Sequence, residues 1–243
     1  TIIPLIIFGL GTENSGNNFS RNWIYVNVSV TETNEVNITF LLYNSTGQYN
    51  STTYSTAQRT INWTGLIDGT YTFNVTVRDG ANNANTTETR TITLDNSVPS
   101  TVSFVNPSET AGSSVSRNYI LVNVTAADSI ALANITIYLF NSTNNQINSS
   151  ASITSPAYIN FSGLSDGVYY FNATAIDYAA LQNSTSTRNV TIDSAPPQVT
   201  INQPLIGASI STSSVNINIT LDENGNACNY TFDSGINNYT MQN

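Results

Sequence analysis

The chain has 243 residues, 40% hydrophobic and only 9% charged, with a net charge of −9. That length holds two or three small domains with packed cores. The acidity argues against a nucleic-acid partner, since phosphate binding needs a basic face, and the absence of His and Lys removes the commonest general base and the Schiff-base nucleophile. Cys228 is the only cysteine, so no disulfide can form within the chain, and it reads as a small core residue.

Thr1–Leu10 is apolar, but it is too short to span a bilayer and Pro4 interrupts it. No later stretch is long enough either, so no transmembrane segment is expected. A first residue other than Met suggests a removed leader or a piece of a longer chain. In Trp23–Val30, Ile24, Val26, Val28 and Val30 alternate with polar residues or Tyr25, the period of a half-buried strand. By the same reading, strands are expected near 3–8, 23–30, 36–43, 50–55, 59–64, 71–78 and 87–95. The inward set is Ile24, Val26, Val28, Val36, Ile38, Phe40, Leu42, Ile61, Trp63, Leu66, Tyr71, Phe73, Val75, Val77, Ile92 and Leu94. No amphipathic helix is visible.

The pattern then repeats. FSRNWIYVNVSV (Phe19–Val30) answers VSRNYILVNVTA (Val115–Ala126), and NITFLLYNST (Asn37–Thr46) answers NITIYLFNST (Asn134–Thr143). Ile61–Asp79 answers Ile159–Asp177, and Asp95 answers Asp193. A third unit opens near Pro196 and runs for about half a repeat. The units are 1–95, 96–193 and a partial 194–243. Seven short strands per unit make an all-β chain of Greek-key sandwiches, each of two antiparallel sheets.

Asparagine two residues before Ser or Thr, without Pro between, occurs nineteen times. The positions are Asn18, Asn27, Asn37, Asn44, Asn50, Asn62, Asn74, Asn85, Asn123, Asn134, Asn141, Asn148, Asn160, Asn172, Asn183, Asn189, Asn218, Asn229 and Asn238. With 36 Asn and 63 Ser plus Thr, chance gives about nine such N-glycosylation acceptors. Several place Asn and Ser/Thr together on the solvent face of a strand, because i and i+2 point the same way. N-linked glycans would coat the outside, solubilise a charge-poor chain and imply an extracellular location.

Gly65–Tyr71 (GLIDGTY) and Gly163–Tyr169 (GLSDGVY) resemble the tyrosine corner of immunoglobulin-like and fibronectin type III domains. The resemblance implies that each Tyr hydroxyl bonds back to nearby backbone. The linkers Asp95–Pro99 and Asp193–Pro197 are similar to those of tandem Ig-like repeats in prokaryotic surface proteins. With the dense acceptors and missing Lys, the chain resembles archaeal surface-layer and extracellular-filament glycoproteins. The usual inter-sheet Cys pair of antibody domains is absent, with Val28 and Phe73 near those places.

Carboxylates at equivalent places (Asp68/Asp166, Asp79/Asp177) suit turns better than a glycosidase pair, so no enzyme is expected. Calcium is a possible ligand. The resemblance to tandem Ig-like domains implies that the linker enters beside two loops of the next module, where Asp95, Asp128 and Asp177 could converge, with Asp193, Asp222 and Glu223 as the parallel set. The ordinary alternative is unrelated loop acids.

The first strand, carrying Ile2, Ile3, Leu5, Ile6, Ile7 and Phe8, is more apolar than its counterparts. A partial third unit leaves an open sandwich edge. A neighbour's apolar strand could fill it by donor-strand addition, giving a head-to-tail homopolymer. The sequence therefore reads as a glycosylated filament subunit that assembles with itself; the alternative is a surface-layer or adhesin stalk segment.

Overall fold

The computed structural model describes residues 3–225 and 227–241. Ile2 lies outside the described residues. The described residues are all strand, turn and loop, and none forms a helix long and apolar enough to cross a membrane.

The first sandwich starts with β1 (Leu5–Phe8), β2 (Asn17–Phe19), β3 (Trp23–Thr31) and β4 (Glu35–Asn44). It continues with β5 (Gly47–Tyr54), β6 (Thr60–Thr64), β7 (Gly69–Asp79), β8 (Ala84–Thr86) and β9 (Arg90–Leu94). One sheet runs β1-β3-β6, and the facing sheet runs β2-β9-β7-β4-β5, with β8 on β7. All pairs are antiparallel except β2 with β9. The alternation that predicts the strands also builds the core. Ile24, Val26 and Val28 face Ile38, Phe40, Leu42, Phe73, Val75 and Val77, all buried. Burying each such side chain contributes about 1.5–3 kcal/mol.

Two inward assignments need correction. Val36 is exposed, because the β4–β7 ladder shifts register between Glu35 and Asn37 and breaks the alternation there. Ile61 is only partly buried at the margin of the core. The last strand also starts later than expected, at Arg90. Thr87 is buried instead, and its hydroxyl accepts the Val75 N–H at 3.1 Å.

The second sandwich repeats this plan. Its strands are β10 (Ser100–Phe104), β11 (Ser113–Val115), β12 (Tyr119–Ala127), β13 (Leu132–Phe140) and β14 (Gln146–Ser152). They continue as β15 (Ala157–Ser162), β16 (Gly167–Asp177), β17 (Gln182–Ser184) and β18 (Arg188–Ile192). The sheets are β10-β12-β15 and β11-β18-β16-β13-β14, with β17 on β16. Ile120, Val122, Ile135, Ile137 and Phe171 fill a separate core. Residues from Val199 onward form two small sheets. β19 (Val199–Gln203) pairs β20 (Asn218–Leu221), and β21 (Asn229–Tyr230) pairs β22 (Tyr239–Thr240). Val199, Ile201, Leu205 and Ile206 stay exposed there.

Both tyrosine corners form. The Tyr71 hydroxyl donates to the Ile67 carbonyl at 3.0 Å, and that of Tyr169 to Ser165 at 2.9 Å. Gly65 and Gly163 open the corners at φ 69° and 73°, where a Cβ is disfavoured. The corner acids then hold the chain leaving each sandwich. Asp68 accepts from the Asn96 N–H at 2.9 Å and the Ser97 hydroxyl at 2.7 Å. Asp166 does the same for Ser194.

Candidate metal centre

The linker after β9 is fixed at both ends. Asp95 N–H donates to the Phe19 carbonyl at 2.9 Å, and the Pro99 carbonyl accepts from Asn183 Nδ2 at 2.9 Å. This brings Asp95 to the end of the second sandwich where β12 turns into β13 and β16 turns into β17. Asp128 follows β12, and Asp177 ends β16. One carboxylate oxygen from each of Asp95, Asp128 and Asp177 lies within 4.8 Å of the others.

The local backbone consumes one oxygen of each acid. Asp95 Oδ1 accepts from Ser97 N at 3.1 Å, and Asp128 Oδ1 from Ile130 N and Ala131 N at 2.8 and 3.1 Å. Asp177 Oδ1 accepts from Leu181 N at 2.9 Å. The second oxygens of Asp128 and Asp177 are buried without any hydrogen-bond partner. Asp95 and Asp177 are each only 2% exposed. None of the six Arg pairs with these acids among the described residues; four bond Glu13, Glu35, Glu88 and Glu109. Burial pushes the Asp95 carboxyl up; the Ser97 N–H offsets part of this, and the Asp128, Asp177 and Asp68 charges add to it.

Two unit charges 4.8 Å apart repel by about 3–4 kcal/mol at an effective dielectric of 20. Two of the three carboxylates carry a buried unpaired oxygen, an arrangement that a cation would neutralise. Hard oxygen donors with no His or Cys fit Ca²⁺ or Mg²⁺ rather than zinc. Three side chains leave room for the carbonyl and water ligands that Ca²⁺ takes to reach six to eight.

The other sequence-derived sites fall differently. Asp193, Asp222 and Glu223 do not converge in this way among the described residues. Asp222 Oδ1 instead accepts the Gln198 N–H at 2.7 Å. Burial, then the charges of Asp193, Asp222 and Asp166, raise the Glu223 carboxyl. All nineteen acceptor asparagines are at least partly exposed. Of the apolar first strand, Leu5–Phe8 pairs with Val28–Thr31 of its own sandwich, Ile6 is buried, and Ile3, Leu5 and Ile7 are exposed.

Sequence reasoning missed what completes or empties these acid sites. In the first sandwich, Asp79 stands where Asp177 stands in the second, and Asn83 where Leu181 stands. Asp79 Oδ2 accepts from Asn83 Nδ2 at 2.7 Å. The signal was in the sequence: two aligned units, with an amide in one and an aliphatic side chain in the other, four residues after a shared Asp.

No protein-family model and no curated protein matches the chain. Several solved structures are similar to it. The fibronectin(III)-like modules of Clostridium thermocellum CbhA are 16% identical over 77% of this chain and 93% of theirs, with a TM-score of 0.40. A two-domain fibronectin type III segment of chicken tenascin is 11% identical over 74% of this chain and 98% of its own, at 0.35. A BSP domain of a biofilm-associated protein is 18% identical over 79% of this chain and 30% of its own, at 0.26. The chain is an all-β protein of tandem Ig-like sandwiches, as its own strand order shows. That fold hosts many roles, so function rests on the residues.

Proposed function

We propose that this chain is a non-enzymatic, extracellular structural glycoprotein, a run of sandwich modules in a cell-surface filament or stalk of archaeal type. Its first junction is held by a divalent cation, Ca²⁺ by preference. The observation that carries this reading is the junction itself. A linker carboxylate and two loop carboxylates meet across the module boundary, leaving two buried oxygens unpaired. A cation bridging them would fix the angle between modules, which a load-bearing rod needs and an isolated binding domain does not. The acceptor asparagines along the strands support a sugar coat.

End-to-end extension through such junctions is favoured over exchange of the first strand. Donating β1 to a neighbour would draw Ile6 out of its own core and part Phe8 from Phe73, whose ring centroid lies 5.6 Å away.

The test is calorimetric titration of the chelator-treated full chain with CaCl₂, paired with small-angle scattering. One site per chain, lost in Asp177→Asn, and a narrower spread of inter-module angles with Ca²⁺ are expected. Absence of Ca²⁺ uptake at millimolar concentration would remove the cation-held junction.

A further inference from the structure

We infer that the fold itself divides the asparagine acceptors. Three positions, each present in both sandwiches, are structural and carry no sugar: Asn27/Asn123, Asn74/Asn172 and Asn85/Asn183. This rests on the glycoprotein reading above and names where its sugar goes.

N-glycosylation joins Nδ2 to the anomeric carbon of a sugar carried on a lipid phosphate. Nδ2 gives up a proton, the new C–N bond forms, and the phosphate leaves with the electrons of the broken C–O bond. To take the sugar Nδ2 must face the transferase, so an amide turned onto the fold has to break its hydrogen bond and turn outward first. Among the described residues, these six acceptor asparagines donate a hydrogen bond through Nδ2 and the other thirteen do not.

At the first position, Asn27 Nδ2 donates to the Leu10 carbonyl and Asn123 Nδ2 to the Asn106 carbonyl, both at 2.9 Å. Their backbone groups bind the same loop through Thr12 and Ser108. The loop lies hard on the amide: a Cβ placed on Gly9 would stand 3.0 Å from Asn27 Nδ2. Asn123 Oδ1 is buried. At the second position, Asn74 and Asn172 donate to the Thr89 and Thr187 hydroxyls at 3.2 and 3.1 Å, and Asn74 Oδ1 is buried.

The third position explains both halves of its own acceptor motif. Asn85 and Asn183 Nδ2 donate to the Pro4 and Pro99 carbonyls, tying down the entering first strand. Their Oδ1 atoms accept the next residue's N–H. The motif's hydroxyl residues, Thr87 and Thr185, accept the N–H groups of Val75 and Ala173. Asn and Thr are both required there without any sugar.

The carriers are asparagines whose Nδ2 donates no hydrogen bond to the fold. Asn62 and Asn160 stand on β6 and β15 with no side-chain hydrogen bond and an exposed surface. Tyr25 lies directly across from Asn62 in the ladder, and Trp23 lines the same shallow groove. Those rings offer a first sugar a stacking face.

The full chain, made unglycosylated in bacteria and already folded, is incubated with an oligosaccharyltransferase that reads Asn-x-Ser/Thr and its lipid-linked sugar, then treated with peptide N-glycosidase in H₂¹⁸O. Each released site becomes ¹⁸O-labelled Asp for mass spectrometry. Label is expected at Asn62 and Asn160 and absent from the six. Label on the six in most folded molecules overturns the division. No label anywhere sinks the glycoprotein reading and the carrier assignment together. The structural assignment is read separately in unglycosylated protein from bacteria. There Asn123→Ala should lower the melting temperature of the second sandwich by about 5 °C, and Asn160→Ala, at a strand position of the same sheet, should leave it unchanged. Equal behaviour of the two variants overturns the structural role.

Discussion

Asp79 and Asp177 occupy the same place at the end of equivalent strands, yet only Asp79 has both oxygens bonded. Asn83 Nδ2 fills the second oxygen of Asp79 at 2.7 Å, and Asp177 Oδ2 is buried with no partner. An amide acts in the first sandwich where a cation would act in the second. Leu181→Asn should therefore supply the missing donor. Ca²⁺ affinity is expected to fall at least tenfold. The Ca²⁺-free protein should gain about 1 kcal/mol, one net hydrogen bond. Calorimetric titration and thermal melts in chelator read the two effects.

The reciprocal change tests the same relationship from the other side. Asn83→Leu leaves Asp79 with an unsatisfied oxygen in a residue only 7% exposed. Hydrogen bonds, that from Asn83 first, hold the Asp79 carboxyl below its ordinary range. Removing the amide should destabilise the first sandwich by about 1–3 kcal/mol. Added Ca²⁺ should recover little of it, because no acid trio meets at Asp79 among the described residues. Urea unfolding with and without Ca²⁺ checks this.

The junction also sets a pH dependence. Burial, with the charges of Asp128, Asp177 and Asp68 adding and the Ser97 N–H opposing, raises the Asp95 pKa in the folded chain. The folded state then holds more protons than the unfolded state between the ordinary carboxylate value and the raised one. Stability in that interval falls as pH rises. Without Ca²⁺, the Asp95 contribution should strengthen on acidification from neutral pH to about 4, and Asp95→Asn should flatten it. Asp166 works in the opposite sense. The Ser194 hydroxyl and N–H lower its pKa, so its stabilisation is lost as pH falls through that lowered value. Urea midpoints across pH, wild type against Asp95→Asn, separate the two.

Strand positions, the repeat and most of the core were legible because period-two alternation and burial are the same fact seen twice. Fourteen of the sixteen expected inward residues, from Ile24 through Leu94, are buried, with Val36 and Ile61 the departures. Val36 was not legible because a bulge is a property of the ladder and not of a single strand. The edge strands β2 and β8 have three residues each, too few to show a period. The meeting of Asp95 with Asp128 and Asp177 could be anticipated from the resemblance to tandem Ig-like domains. The unpaired second oxygen of Asp177 is legible only when the two units are aligned, which sets Leu181 where Asn83 supplies the donor.

The apolar first strand gives a test that separates two modes of assembly. Ile6 is 4% exposed in the first core, Phe8 meets Phe73 edge-on, and the Arg90 guanidinium lies 4.4 Å from the Phe8 ring centre. If β1 serves its own sandwich, Ile6→Ala should cost the dilute, monomeric protein about 2–5 kcal/mol. Assembly should then weaken only as far as the fold does. If β1 instead belongs in a neighbour, the same substitution should spare the monomer and abolish polymer. Chemical unfolding at micromolar concentration, set beside electron microscopy of concentrated protein, reads both. The buried Ile6 and its four-residue ladder with β3 favour the first outcome.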